Sequence, residues 1–127
     1  MIWLLALAQL VSPDIQVSPN QLACQEPSAD DARPYTLCVA EADFDDADKA
    51  MNRQWAITVR HVELHQGPAA ARHLRARQRK WIADRERRCE TMSADSPVTQ
   101  QGRDDMACQE KLTVERTSAL KKMVVAN

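Results

Sequence analysis

The sequence predicts an all-α protein: a small antiparallel bundle of about three main helices, stapled by two disulfides. Hydrophobic residues make up 44% of the 127 residues, but aromatic residues make up only 4% and glycine occurs twice, a composition that favours helix over strand. Three long segments place apolar residues at three- and four-residue steps, the spacing of an amphipathic helix. The four cysteines include no Cys-x-x-Cys pair, so disulfides are favoured over a zinc site. This length suits one domain with one core.

The first twenty residues are predicted to be a signal peptide or a disordered N-terminal segment, and residues 21–127 to form the helical domain. Residues 1–11 are almost entirely apolar, and Ala6-Leu7-Ala8 has the small-x-small form that signal peptidase accepts. The apolar run is too short to cross a bilayer, so we expect no transmembrane span. We therefore expect an exported protein, periplasmic or secreted.

The first long helix is predicted over residues 34–66. Before it, prolines make residues 12–33 irregular, with one short turn near Cys24. Pro34 suits the first helical turn, and acidic residues crowd the first half of the helix, where the helix dipole favours them. Gly67-Pro68 ends the helix. Its apolar positions are Leu37, Ala40, Phe44, Ala47, Met51, Trp55, Val59 and Val62.

Two further helices are predicted. The second runs from about Pro68 to Glu90, and a loop then covers residues 93–102. The third begins at about Asp104, which can cap it, and ends near Val125. Short connections make successive helices antiparallel neighbours. The seam of the second helix holds Leu74, Gln78, Trp81, Ile82, Arg85 and Cys89. The apolar side of the third holds Met106, Cys108, Leu112, Ala119, Leu120, Met123 and Val124.

Cys24, Cys38, Cys89 and Cys108 are predicted to form two disulfides. Four cysteines allow three pairings, and the sequence alone leaves all three open. Proximity along the chain favours Cys24–Cys38 and Cys89–Cys108, each closing a short loop that would stabilise the fold by about 3 kcal/mol. Buried free thiols are the alternative. Disulfides and export support each other, since disulfides persist in oxidising compartments.

Charge is strongly segregated along the chain, although the formal net charge is only -1. Residues 26–48 hold eight acidic residues against Arg33 alone, and residues 49–90 hold eleven Lys and Arg against four acidic residues. Opposed blocks of this kind either pair with each other inside the fold or face different partners. The sequence leaves both alternatives open.

Catalysis and metal binding are disfavoured by the sequence. It contains no Gly-rich phosphate loop, Gly-x-Ser-x-Gly motif or zinc-protease motif. His61 and His65 lie one helical turn apart and could bind a metal together with His73 or Glu63. Both histidines lie opposite the apolar stripe, which is more typical of solvated side chains. We expect no enzymatic activity and no cofactor.

A basic run from Arg72 to Arg88 could attract phosphate groups, with Trp81 available to stack on a base. Trp81 falls on the apolar seam, however, and an exported protein rarely meets nucleic acid. We therefore expect no nucleic-acid partner. An anionic membrane or cell-wall polymer stays an alternative partner for these basic residues.

Three sequence blocks in a fixed order carry a family resemblance. They are Ala47-Asp48-Lys-Ala-Met51-Asn52-Arg-Gln-Trp55, then Leu74-Arg75-Ala-Arg-Gln78-Arg79-Lys-Trp81-Ile82-Ala-Asp-Arg85-Glu86-Arg-Arg-Cys89, then Gly102, Cys108 and Thr113-Val-Glu-Arg116-Thr-Ser-Ala-Leu120. Over about residues 24–124 the chain resembles the LprI-type lysozyme-inhibitor domain of the bacterial envelope. Met51, Trp55 and Glu86 depart from the family pattern, which has Leu, Tyr and Asp there. The first two keep the seam apolar, whereas the longer Glu86 would alter any tight hydrogen bond made by Asp.

The resemblance implies a bacterial periplasmic or cell-surface protein that binds a protein partner, with lysozyme as the candidate. We interpret the motif side chains as fastenings of the fold rather than as a binding site, since the group on the second helix lies near one side and supplies apolar area and hydrogen bonds. The motif residues are Asp48, Asn52, Trp55, Gln78, Trp81, Arg85, Thr113 and Arg116.

The candidate interface is the acidic stretch that contains Asp43, Asp45 and Asp46. Lysozymes of the animal type are basic with an acidic catalytic cleft, so these carboxylates could steer the encounter. A basic or polar loop would then block the cleft, and residues 91–103 are the candidate segment because they are predicted to be exposed and irregular. The alternative function is a structural or adaptor domain of the cell envelope, with another protein or peptidoglycan as its partner.

Overall fold

The computed structural model describes residues 16–25 and 34–125, and within these ranges the fold is all-α. The elements are α1 (Pro19–Cys24), α2 (Tyr35–Gln66), α3 (Pro68–Ser93), a 3-10 helix η1 (Val98–Gln100) and α4 (Gln101–Val125). The predicted helical bundle is therefore confirmed. Most of the predicted signal segment, residues 1–15, and part of the acidic block, residues 26–33, lie outside the described residues.

α1 is a complete short helix at the place where the sequence indicated a turn. Ser18 caps it: its Oγ accepts from the Gln21 amide at 3.2 Å, and the Gln21 side chain accepts from the Ser18 amide at 2.8 Å. The helix begins at Pro19, two residues before the predicted domain boundary at residue 21. That boundary stays a prediction.

α2 is a 32-residue helix, about 48 Å long, that begins one residue after the predicted start and ends at the predicted Gln66. Pro34 is its N-cap rather than a residue of the first turn, and the Pro34 carbonyl accepts from the amides of Leu37 and Cys38 at 3.0 and 3.1 Å. Gly67 ends the helix with φ of 94°, a left-handed conformation that favours glycine. Pro68 then starts α3, so a single residue separates the two helices.

The connection between α3 and α4 is shorter than predicted. α3 continues to Ser93, and α4 begins at Gln101 instead of Asp104. The prediction that Asp104 caps the third helix is therefore wrong, because Asp104 already lies in the first turn. The turn η1 leads directly into α4, and the Gln101 side chain donates to the Ser96 carbonyl at 3.1 Å. Hydrogen bonds from Ser96 and then from Arg103 lower the pKa of the Asp104 carboxyl, so this residue fastens the connection to α4 from within the helix.

The three long helices alternate in direction, as predicted. Arg75 contacts Glu63 and Arg85 contacts Asp48, so rising numbers on α3 meet falling numbers on α2. The Cys89–Cys108 bond sets α3 against α4 in the same antiparallel way. α2 and α4 are consequently parallel and pack closely. A Cβ atom at Gly102 would lie 3.3 Å from the Leu37 side chain, which is tighter than ordinary contact.

The core is half polar. Its buried hydrophobic residues are Ala40, Met51, Val62, Ala71, Leu74, Cys89 and Leu120. Its buried polar residues are Thr58, Gln78, Arg85, Ser93, Gln109 and Thr113. The apolar pattern did not identify Thr58, Gln109 or Thr113 as core positions. The threonines tolerate burial because their hydroxyls donate to backbone carbonyls, Thr58 to Leu120 at 3.0 Å and Thr113 to Gln109 at 2.7 Å.

Both disulfides have the pairing that proximity favoured. Cys24–Cys38 ties α1 to the start of α2, with Cα atoms 5.8 Å apart, and Cys89–Cys108 ties α3 to α4, with Cα atoms 5.6 Å apart. All four cysteines are bonded, so free thiols are ruled out in this fold. In the described part of the chain, no helix is both long and apolar enough to cross a membrane.

Candidate partner-binding surfaces

Arg85 is the centre of a buried polar cluster that joins the three long helices. Its side chain is 6% exposed, and its Nη1 donates to Asp48 on α2 at 3.1 Å and to Thr113 on α4 at 3.0 Å. The guanidinium carbon lies 5.1 Å from the Phe44 ring centre and 5.2 Å from that of Trp81, within cation-π range. Its Nε is buried without a hydrogen-bond partner among the described residues. One side chain thus holds groups from every long helix.

Gln78 and Arg116 extend this cluster along the bundle. Arg116 Nε donates to Gln78 Oε1 at 2.9 Å, and Gln78 Nε2 lies 3.7 Å from the Met51 sulfur. The Arg116 guanidinium also lies 5.7 Å from the Trp81 ring centre. Burial, and then the charge of Arg77, lowers the pKa of Arg116. A guanidinium stays charged in proteins, so the hydrogen bond to Gln78 and the stacking on Trp81 compensate the partly buried charge of Arg116.

Six of the eight motif residues meet in this cluster: Asp48, Gln78, Trp81, Arg85, Thr113 and Arg116. The other two do not join it. Asn52 is exposed and Trp55 half-buried, and neither side chain forms a hydrogen bond to another described residue. Glu86 is also exposed and makes no hydrogen bond there. The contacts suit an internal fastening, and that role stays a prediction.

The predicted interface residues lie on the outside of the bundle. Asp45 and Asp46 are exposed and Asp43 is half-buried. The Asn20 amide of α1 donates to Asp43 at 2.9 Å and to Asp46 at 2.8 Å, so two of the three carboxylates also dock α1 onto α2. Asp45 instead pairs with Lys49 at 2.8 Å, one turn along the same helix. All three carboxylates remain at least partly open to solvent.

Glu110 adds a fourth carboxylate to this region. The start of α4 packs against the start of α2, as the approach of Gly102 to Leu37 shows. Burial raises the pKa of Glu110, and the charge of Asp43 raises it further. We call Asp43, Asp45, Asp46 and Glu110 the acidic surface. Sequence reasoning missed Glu110 and the docking role of Asn20 because both depend on contacts between helices that lie far apart in sequence.

The two charge blocks remain separated along the bundle. Residues 35–51 and 83–111 form one end, with twelve acidic against six basic side chains. Residues 52–82 and 112–125 form the other, with ten Lys and Arg against two Glu. Among the described residues, only Arg85–Asp48 and Arg75–Glu63 are ion pairs that link α3 to α2. Of the two alternatives open at the sequence level, separate faces therefore describe this fold better than mutual neutralisation.

Two of the shallow grooves on the described part of the bundle have similar volumes. One, of about 740 Å³, lies between α3 and α4 and is lined by Arg87, Arg88, Thr91, Met92, Asp95, Cys108, Lys111, Leu112 and Glu115. The other, of about 730 Å³, is lined by Val62, Gln66, Ala70, His73, Ala76, Arg77 and Met123. His61 and His65 have ring centres 4.2 Å apart. No group of three or more potential metal ligands occurs in the described parts of the chain.

Comparison with known proteins identifies one relationship. The family model described as "Lysozyme inhibitor LprI" matches residues 24–120. The matched segment contains all four cysteines and most of the three long helices. No curated protein and no solved structure matches the chain.

Proposed function

The chain belongs to the LprI lysozyme inhibitor family, and from this premise we propose that it is an exported protein that inhibits lysozyme by docking to the enzyme. The observation that carries the proposal is the extent of the family match, which runs from the first cysteine almost to the end of α4. An inhibitor of this kind needs a complementary surface rather than a reactive group. The protein is then a binding protein and not an enzyme.

An extracytoplasmic location is part of the proposal. Two disulfides staple the fold, and such bonds persist in the periplasm or outside the cell, where lysozyme is met. The apolar residues 1–11 would supply the export signal. The location is thus supported by the disulfides and by the family, and the signal itself lies outside the described residues.

The acidic surface is the proposed docking site. Animal-type lysozymes are basic, so the acidic end of the bundle would attract them while the basic end would repel them. Exposed charges act over a Debye length of about 8 Å at physiological salt, which favours encounter in one orientation. Asp45 and Asp46 are the most solvent-exposed members of the surface, although Asp46 also accepts from Asn20 and Asp45 pairs with Lys49.

The connection between α3 and α4 is the proposed blocking element. It lies at the acidic end of the bundle, between Ser93 and Gln101. The proposed blocking element is therefore shorter than the segment 91–103 that the sequence suggested. Val98 at its tip is 84% exposed, and Thr99 and Gln100 beside it are polar. A projecting turn of this kind could enter the substrate cleft and hydrogen-bond its carboxylates once the acidic surface has docked nearby.

A lysozyme turnover assay tests the function. The full, disulfide-bonded chain is added in rising amounts to a basic animal-type lysozyme acting on bacterial cell walls. We expect turnover to fall in a saturable way, whereas reduced and alkylated chain should have no effect. Unchanged turnover at micromolar excess of the oxidised chain would contradict the proposal.

A further inference from the structure

A second surface lies on the outer face of α2, at the basic end of the bundle. Arg53, Ile57, Arg60 and Leu64 follow one another at three- and four-residue steps, so they occupy one face of the helix. All four are exposed, and Ile57 and Leu64 are 57% and 71% accessible. We call these four residues the basic stripe. The buried positions of this half of α2, such as Thr58 and Val62, face the opposite way.

The two arginines of the stripe make no polar side-chain contact with other described residues. In the described portion of the chain neither Arg53 nor Arg60 forms an ion pair or hydrogen bond to another side chain, and Glu63, the one acidic residue in this half of α2, pairs with Arg75. The remaining basic side chains of this end add to the same positive field. They include Arg72, Arg79, Lys80, Lys121 and Lys122, all of them exposed.

We propose that the basic stripe docks the protein onto an anionic lipid bilayer. Guanidinium groups bind phosphate with two parallel hydrogen bonds, and exposed aliphatic side chains between them can enter the boundary of headgroups and acyl chains. The stripe spans eleven helical steps, about 16 Å, along a straight helix, so its four side chains can meet a flat surface together. Charge complementarity identifies an anionic partner, and the two exposed aliphatic side chains favour one with a hydrocarbon phase over a soluble polyanion.

Charge also sets the orientation of the bound protein. Asp46 lies two turns before Arg53 on the same face of α2 and would be repelled by anionic lipid. The bundle must therefore tilt so that its basic end touches the membrane and its acidic end is lifted away. The acidic surface would then face incoming lysozyme. This last consequence alone rests on the proposed function.

Vesicle flotation with the full, disulfide-bonded chain tests the proposal. The vesicles contain phosphatidylcholine alone or phosphatidylcholine with phosphatidylglycerol. One variant, Arg53→Gln with Arg60→Gln, removes the charges of the stripe, and a second, Ile57→Ser with Leu64→Ser, removes its apolar groups. Arg87→Gln with Arg88→Gln is the matched control, because it removes two exposed charges at the acidic end. Circular dichroism confirms that each variant folds.

We expect the chain to bind only the vesicles that contain phosphatidylglycerol, and less tightly as salt is raised. The charge variant should bind about 30-fold more weakly, the apolar variant about tenfold more weakly, and the control within about twofold of the unmodified chain. Lysozyme inhibition without vesicles should be the same for all of them, so a failure of lipid binding is distinct from a failure of the proposed function.

Three results would overturn the inference. One is no binding to phosphatidylglycerol vesicles at low salt. Another is an equal loss in the control variant, which would mean that net charge alone governs binding. The last is unchanged binding by the apolar variant together with displacement by soluble polyphosphate, which would make the stripe a site for polyanions instead of lipid.

Discussion

Two ion pairs on the first half of α2 differ sharply in their surroundings. Asp48 pairs with Arg85, whose side chain is 6% exposed and is also bonded to α4. Asp45, one turn earlier, pairs with Lys49, and both of these side chains are more than 60% exposed. The Asp48 side chain is 34% exposed, so this pair is partly buried. Loss of one partner leaves a polar group that water compensates only in part, whereas an exposed pair exchanges its partner for water. The ion pair of Asp48 therefore stabilises the fold, whereas the ion pair of Asp45 lies at the surface, where a partner can reach it.

Removal of Arg85 should have the largest effect. Arg85→Ala deprives Asp48 and Thr113 of their donor and leaves a cavity between Phe44 and Trp81. We expect the free energy of unfolding to fall by about 3–5 kcal/mol. Urea denaturation followed by circular dichroism measures it. Arg88→Ala, an exposed arginine on the same helix, is the control and should cost less than about 0.5 kcal/mol. An equal loss of stability in the two variants would mean that the buried arginine contributes no more to the fold than the exposed one.

Neutralising Asp45 and Asp46 should change binding and leave the packing of the three long helices intact, with a loosening confined to α1, which Asn20 joins to Asp46. Asp45→Asn with Asp46→Asn is expected to raise the concentration needed for half inhibition of lysozyme by about tenfold at low salt, with a smaller effect at high salt. Glu63→Gln with Glu115→Gln makes the same charge change at the basic end and should leave inhibition unaltered. If the control pair weakened inhibition as much, the docking site would have to be placed elsewhere.

The contacts of Asn20 combine both roles, because they hold α1 in place and yet involve carboxylates at the surface. Asn20→Ala should destabilise the docking of α1 by about 1 kcal/mol, because Asp43 and Asp46 lose a shared donor. Faster hydrogen exchange of the α1 amides is the expected sign, while Cys24–Cys38 keeps the helix tethered. Asn52→Ala, an exposed asparagine without hydrogen bonds in the described chain, should leave the α1 amides unchanged. Similar exchange in the two variants would mean that the disulfide alone positions α1.

Glu110 should give the smallest effect, and one that depends on pH. Its pKa is raised in the folded state, so the fold favours the protonated acid and loses stability as the pH rises through that value. Glu110→Gln should therefore stabilise the protein at neutral pH, by less than about 0.5 kcal/mol because solvent screens the charge. Below the ordinary pKa of glutamate the two proteins should be equally stable. Urea denaturation at neutral pH and at a pH below the ordinary pKa of glutamate tests this prediction. A Glu110→Gln variant that is less stable at neutral pH would contradict burial as the cause of the raised pKa.

The sequence predicted the features of the fold that rest on local pattern. Gly67-Pro68 marks the break between α2 and α3, and chain proximity favoured both disulfides correctly. The buried Thr58 and Thr113 escaped an apolar pattern because their hydroxyls are satisfied by backbone carbonyls, which no periodicity records. The start of α4 was misplaced because Asp104 has the chemistry of a cap, while η1 orders the helix three residues earlier.

The candidate surface was only partly visible in the sequence. Asp43, Asp45 and Asp46 stand out as a run of acids, but adjacency does not reveal which of them are free. Asn20 donates to Asp43 and Asp46, and the charge of Asp43 raises the pKa of Glu110 on α4, and both effects arise only when the helices pack. Most of the charge of the basic end was visible as the basic block of the sequence, and packing adds Arg116, Lys121 and Lys122 from α4.

Nuclear magnetic resonance can map where lysozyme contacts the bundle, and so whether the acidic surface is the docking site. Unlabelled lysozyme is titrated into the isotope-labelled, disulfide-bonded chain, and the backbone amide shifts are followed. We expect the shifts to concentrate in α1, the first half of α2 and residues 94–110, with the basic stripe unchanged. Shifts centred on the basic stripe, or none at saturating lysozyme, would contradict it.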